Sequence, residues 1–392
     1  MTKSISAEHF SIIRGGLLEK ALIFLRVIIP DSDKNIKRKI IFFISVTWFP
    51  LLVITLVSGL FWGDRVEMNF VEDFPTHLRF LVAIPMLLIA EGIADERIKL
   101  IVNHFSESGL VSEEGRHEFE MAKYKADRLC ELPWAEAVIL LIIIGNITFR
   151  WVLHDVDISS WQFPSLVSDQ RLSLAGYWLA MIGLPLFQFM VLRWLWRWMI
   201  WFRLLHLISK VRLILLPTHP DKSGGLGFMG EPPVPFSMLT LALGIVISAF
   251  IAGRMVFFEA HLADFYVAIG TFVFVCILIN VIPLMVFFAS LRKSRIAGIF
   301  AYSALIDRHH REFTQKWLGP KPENELLIGN ADISSMCDFT PVYEAIEGMK
   351  PFPFDLKIMI STVVVSIIPL VPLLALEMPI ADLLKALMGL LL

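Results

Sequence analysis

Residues 37–62 read KRKIIFFISVTWFPLLVITLVSGLFW, three basic residues followed by a run from 40 to 62 without a charge. Crossing the hydrocarbon of a bilayer takes about 20 apolar helical residues. A helix is required because lipid cannot satisfy an exposed backbone N–H or C=O. The run has that length, and its basic flank stays in water, so it reads as a membrane-spanning helix.

Outward from this segment the same pattern recurs. A second run begins at Phe80 but meets Glu91 and Asp95, which makes it a short span or a re-entrant element. A third covers about 134–153 and contains VILLIII, and a fourth starts at Leu174 and carries Arg193, Arg197 and Arg203 towards its end. The fifth and sixth, about 236–258 and 264–290, are separated only by EAHLAD, a helical hairpin, and the seventh covers about 357–378. The expected fold is all-α: a polytopic transmembrane helix bundle of about seven spans, with short interfacial and cytoplasmic helices. No internal repeat of the inverted kind found in many transporters is visible.

Composition agrees. Hydrophobic types make up 56% of the 392 residues and charged types 18%, below the roughly 25% of an ordinary soluble domain. A net charge of -2 gives no electrostatic case for nucleic acid. Cys130, Cys276 and Cys337 are scattered, without the spacing of a disulfide framework or a zinc site. The N-terminal residues have no apolar core followed by a small-residue cleavage site, so no cleavable signal is expected.

Lys and Arg set the orientation. With an internal N-terminus, segments 1–39, 96–133, 206–234 and 291–356 lie inside and hold 25 basic residues. Segments 63–78, 154–172, 259–263 and 379–392 lie outside and hold three, Arg65, Arg171 and Lys385. The N-terminus is therefore expected in the cytoplasm. Residues 1–39 form a cytoplasmic or interfacial segment in which Leu17, Leu18, Ala21, Leu22 and Leu25 repeat at helical spacing. Residues 40–291 form the bundle with cytoplasmic loops 96–133 and 206–234. Residues 292–356 are a cytoplasmic piece, a basic helix followed by the turn-rich WLGPKPENELLIGNADISSM. Residues 357–392 hold the seventh span and a short interfacial helix, PIADLLKALMGLLL.

The segment 216–230, LPTHPDKSGGLGFMG, is the most distinctive loop. Gly224, Gly225 and Gly227 permit close backbone approach, with His219, Asp221 and Lys222 beside them. One reading is an anion-binding loop built from backbone N–H groups; the other is a rigid turn between the fourth and fifth spans, stiffened by Pro217, Pro220, Pro232, Pro233 and Pro235. Lys222 precedes the glycines, so the loop is not a Walker motif. Together, HPDKSGGLGF, GNADISSMCDF and WLWRWMIWFR resemble a family of bacterial polytopic inner-membrane proteins without an established activity. That resemblance implies fold and location and carries over no catalytic residue.

Charges at membrane depth are costly and mark a protein interior or a water-filled path. Glu91 and Asp95 stand one turn apart on one helix face and are candidate pore or gating groups, with Arg254 and its neighbour Glu259. Arg193 and Arg197, interleaved with Trp194 and Trp198, read as an interfacial belt whose arginines reach lipid headgroups. Pro85, Pro185, Pro283, Pro369 and Pro372 lie within spans and are expected to bend them. His309 and His310 project about 100° apart on a helix, so the pair does not read as a metal site. No Ser-His-Asp order or HExxH pair can be assembled, and no catalytic residue, metal or cofactor is expected. The favoured function is a channel or transporter for an ion or small solute. The alternative is a non-conducting scaffold or sensor that presents its loops to a cytoplasmic protein. The expected partners are the lipid bilayer, a further copy of the chain and such a protein.

Overall fold

A chain with this many apolar runs must close its backbone hydrogen bonds within each run, and the helix is the open-ended form that does so. The computed structural model describes residues 11–13, 15–29, 35–152, 159–164, 171–231, 236–319 and 331–377. Eleven helices follow: α1 (Leu17–Phe24), α2 (Asn35–Ser58), α3 (Phe74–Glu107), α4 (Arg116–Cys130), α5 (Pro133–Val152) and α6 (Leu174–Ile208). Then come α7 (Ser237–Phe257), α8 (Leu262–Met285), α9 (Phe288–Trp317), α10 (Ala331–Glu347) and α11 (Leu356–Glu377). Among the described residues there is no strand, only the isolated bridges Met68–Ser160 and Val111–Leu213.

Helices α2, α3, α6, α7, α8 and α11 are each long and apolar enough to cross a membrane; α4 and the first part of α5, to Thr148, bent by 44°, pass the same test together and make a seventh if the pair is counted as one span. Val57, Val267 and Leu141 on these helices are 85%, 82% and 68% exposed. A water-soluble monomer rarely exposes apolar surface on that scale, whereas lipid covers it without cost. The chain is a multi-pass integral membrane protein.

The second span departs from expectation. It is neither short nor re-entrant but a 34-residue helix that passes through Glu91 and Asp95 without a break. It tolerates both carboxylates because each has a cation beside it: Lys39 and Arg197 at Glu91, and Lys99 at Asp95. Another departure concerns ADISSM, expected in a turn-rich stretch, which is the first part of α10. Lys316 Nζ and the Trp317 indole, at the end of α9, both donate to Asp332, at 2.8 and 3.1 Å, and so clamp the α9–α10 hairpin. The C-terminal segment 379–392, residues 320–330 and Pro232, Pro233 and Pro235 lie outside the described residues.

Helices α3, α6 and α7 form the centre: 44%, 39% and 39% of their most apolar stretches are buried, against 22% for α2 and for α8. Proline explains the shape of the first two. Each has five α-helical residues, five π-helical residues (Arg79–Ala83, Leu179–Gly183), then a long α-helix with Pro85 or Pro185 at its second position. Proline has no N–H to give, and the preceding residue bonds five positions back, Ile84 to Arg79 and Leu184 to Leu179. The two π turns touch, with the ring of the fully buried Phe80 lying over Gly183. Pro369 and Pro372 act otherwise, tightening the middle of α11 into a 3₁₀ stretch.

Near the start of α3, buried Asp73 caps the helix through Thr76 N–H at 3.1 Å and accepts the Thr76 hydroxyl at 2.7 Å and the Trp161 indole at 3.0 Å. One turn on, Trp48 donates to His77 Nδ1 at 2.9 Å, so His77 must carry its hydrogen on Nε2, which faces the Phe70 carbonyl at 2.8 Å. This knot joins α2, α3 and residues 159–164.

A Cβ on Gly183 would stand 2.9 Å from Phe80 Cζ. Gly183→Val is expected to lower the melting temperature in detergent, with an overpacking cost of about 1–3 kcal/mol; a thermal-shift comparison with wild type checks it.

Candidate functional site

The buried charges gather where α3 faces α6. Glu91 comes from α3, Arg193 and Arg197 from one face of α6, Lys39 from the first turns of α2 and Glu136 from the first turn of α5. Arg197 Nη1 donates to Glu91 Oε1 at 2.8 Å, and Lys39 Nζ reaches Glu91 Oε2 at 3.2 Å. Arg193 is held more loosely, 3.9 Å from Glu91 and 3.8 Å from Glu136. Arg197 also lies over the Trp194 ring, 5.4 Å from its centre. Glu91 is 8% exposed and Arg197 3%. In so dry a place only paired charges survive.

A strap of chain, residues 11–13 and 15–16 with the first turn of α1, completes the set. The Ile13 carbonyl accepts from Arg197 Nη2 at 3.2 Å and the Gly15 carbonyl from Arg193 Nη2 at 3.1 Å. Leu17 N–H donates to Glu136, Gly15 N–H to Glu19, and the Ser11 hydroxyl to Asp95 Oδ1 at 2.5 Å. Gly15 and Gly16 have φ of 99° and 95°, and a Cβ on Gly16 would overlap Glu136 Oε1. The double glycine is what lets the chain lie against the carboxylate. Beside this strap is a cavity of about 200 Å³ bordered by Lys39, Glu91, Asp95, Arg193, Glu19 and Ile13. A further space of about 10 Å³ against Glu91 and Arg193 is the size of one water.

Glu91 and Asp95 thus share one cavity, as their spacing implies, but each is matched by its own cation. Arg193 and Arg197 do not reach lipid headgroups. The pair is turned inward, Trp194 is buried between helices, and the Trp198 indole donates to the Ile279 carbonyl at 2.7 Å. Arginine interleaved with tryptophan looks the same in sequence whichever side faces lipid. Arg254 is elsewhere, stacked on Phe258 at 4.1 Å, and among the described residues no ion pair joins it to exposed Glu259. Its neighbour Gly253 packs on Pro75, 16 residues before Glu91, or roughly 24 Å along α3.

The glycine loop binds itself. Asp221 accepts N–H groups from Ser223 (2.8 Å), Gly225 (3.2 Å) and Gly227 (2.8 Å), the donors that the anion-binding reading offers to a ligand. His219 Nδ1 lies 2.8 Å from the same carboxylate, and the Lys222 carbonyl accepts Lys350 N–H at 2.7 Å. Gly224 packs against Met349 and Leu291, and Gly225 against Leu110. Arg97 on α3 donates to the Phe228 and Glu231 carbonyls at 3.2 and 2.7 Å. The loop is a hub that ties α3 to α9 and residues 349–354. Burial alone would raise the Asp221 pKa, but the N–H groups of Ser223, Gly227 and Gly225, with His219, outweigh it and hold the group below its ordinary value. Among the described residues no group of three or more His, Cys, Asp or Glu could hold a metal ion.

Sequence reasoning missed three members: Glu136, Lys39 and the strap. The available signals were a carboxylate one turn into the third apolar run and a Gly-Gly step just before an amphipathic helix.

Glu91→Ala leaves Arg197 buried and uncompensated, with an expected loss of about 3–5 kcal/mol; Arg197→Leu added to it should recover part of the fall in melting temperature. Asp221 titrates low in the folded chain, so its contribution is complete above the unfolded value of about 3.9 and is lost as pH falls through the lower folded value. Amide exchange at Ser223, Gly225 and Gly227 should accelerate in that acid window, and Asp221→Asn should accelerate it at neutral pH.

Comparison with protein families, curated proteins and solved structures finds no match for the chain. The functional reading rests on the geometry of this site.

Proposed function

We propose that the protein is a channel- or transporter-like protein of a bacterial inner membrane, with its N-terminus in the cytoplasm, and that it moves an ion or small solute past Glu91. The observation that carries this reading is the cluster of four buried charges and the half-buried Lys39 where α3 meets α6, of which Glu91, Arg193 and Lys39 border the 200 Å³ cavity. Ionisable groups at membrane depth are expensive and concentrate where a solute or proton passes. A bundle held together for packing alone has cheaper ties, since apolar side chains of similar volume often replace a buried ion pair at no loss. The charge asymmetry of the loops supports the orientation, and the resemblance carried by HPDKSGGLGF supports the membrane. In this reading Glu91 and Asp95 line the path. The glycine loop is placed to pass a signal to α3 through Arg97, and Arg254, near the far end, has no part in the passage itself.

The scaffold reading draws on a different observation. The α9–α10 hairpin leaves Phe300 and Leu318 74% and 77% exposed, a surface to which a cytoplasmic partner or a further copy could bind.

Purified protein in liposomes, assayed for flux of protons, monovalent ions and small polar solutes, separates the two. Wild type is expected to conduct, Glu91→Gln to change rate or selectivity by about tenfold or more, and Arg254→Ala to leave flux near wild type. Absence of flux for every species across several pH values overturns the proposal and favours the scaffold.

A further inference from the structure

The strap sits on the charge cluster as a peptide sits in a binding site. It offers two carbonyls, then an N–H, and the cluster supplies a counterpart to each. Arg197 and Arg193 take the carbonyls of Ile13 and Gly15, and Glu136 takes the N–H of Leu17. Asp95 takes the Ser11 hydroxyl.

The strap is also needed by the groups it touches. Among the described residues, without the Gly15 carbonyl Arg193 retains carboxylates only at 3.8 and 3.9 Å, beyond hydrogen-bond reach. Without Leu17 N–H, Glu136 keeps, among the described residues, only the 3.8 Å approach to Arg193. Lifting the strap would thus leave a guanidinium wanting an acceptor and, close to it, a carboxylate wanting a donor, both buried. A lone anion satisfies the first and a lone cation the second. A solute that carries a carboxylate and an ammonium or amide N–H satisfies both. The cavity beside the strap, bordered by Lys39 and Asp95 as well, adds a second cation and a second anion.

We infer that the site takes a small zwitterion of the amino-acid or dipeptide class, and that the strap, residues 11–13 and 15–19, is its built-in competitor. The inference rests on the transport reading for the passage of the solute, and on the site alone for its binding. While the strap is seated, apparent affinity falls in proportion to the fraction of molecules with an open site.

Two full-length variants move the strap in opposite directions. In Ser11→Cys with Asp95→Cys the side chains replace a pair in contact, so oxidation ties the strap down and a reductant frees it. Gly16→Val drives a side chain into Glu136 and expels the strap. Glycylglycine is the probe, titrated calorimetrically into purified protein, with acetate and methylammonium as single-charge comparisons. Glycylglycine is expected to bind the reduced double-cysteine protein about tenfold or more tightly than the oxidised form, and Gly16→Val more tightly than wild type. Neither comparison ion should match it. If Gly16→Val does not fold, the oxidised and reduced forms of one polypeptide still decide. Equal binding in the two redox forms, no binding by wild type and every variant alike, or acetate binding as well as glycylglycine overturns the inference. Redox-dependent binding without uptake into liposomes upholds the site and overturns the transport reading.

Discussion

The ion pair between Glu91 and Arg197 is the contact on which the rest of the structure turns. A carboxylate and a guanidinium buried to this degree lose several kcal/mol of hydration each, and only close geometry with further hydrogen bonds returns it. The surroundings supply those bonds. Lys39 covers the second oxygen of Glu91, Trp194 lies under Arg197, and the Ile13 carbonyl takes one of its remaining donors. The need to satisfy one pair draws in α2, α6 and a stretch of chain that would otherwise have no reason to enter the bundle. A hydrophobic contact tolerates sliding along a helix; this one does not.

The two ends of the bundle solve the same problem with local chemistry. Near the start of α3, Asp73 gathers Thr76 and Trp161 around a single carboxylate, and at the glycine loop Asp221 gathers three backbone N–H groups. In each case an acidic side chain takes the place of a counter-ion, so that irregular backbone can be packed away from water. The glycine loop is therefore rigid where it looks adaptable. Its positive-φ residues, Lys222, Gly224 and Gly225, serve a turn that closes on itself and presses on α9 and residues 349–354.

The spans were legible because length and hydropathy are local properties, and a charge-free run such as 40–62 admits one reading. The limits of α3 were less so. Charges at 91 and 95 suggest an end to a span only while their partners are unknown, and those of Glu91 lie on other helices. Glu91 could be singled out as a buried ionisable group because isolation within an apolar run is visible in the chain. The role of Arg197 could not, since its partner is 106 residues away and the surrounding tryptophans are equally at home facing lipid or protein. The strap was harder still. Its recognition uses main-chain carbonyls and N–H groups, which nearly every residue has, and the sequence separation of 84 between Ser11 and Asp95 hides the side-chain contact. Only Gly15-Gly16 left a trace, and a pair of glycines before a helix has many causes.

The π turns at 79–83 and 179–183 give the site a dependence on counting. Each accommodates one residue more than an α-turn would, and a residue added to or taken from a helix rotates everything beyond it by roughly 100°. Glu91 lies after the first such turn and Arg197 after the second. Their meeting is thus a matter of phase between two cylinders, set at Pro85 and Pro185, six residues before the acid and twelve before the base. A chain that lost the extra residue in one helix alone would be one residue shorter and would keep its hydropathy and its prolines. Its acid would point to lipid and its base to a partner no longer there.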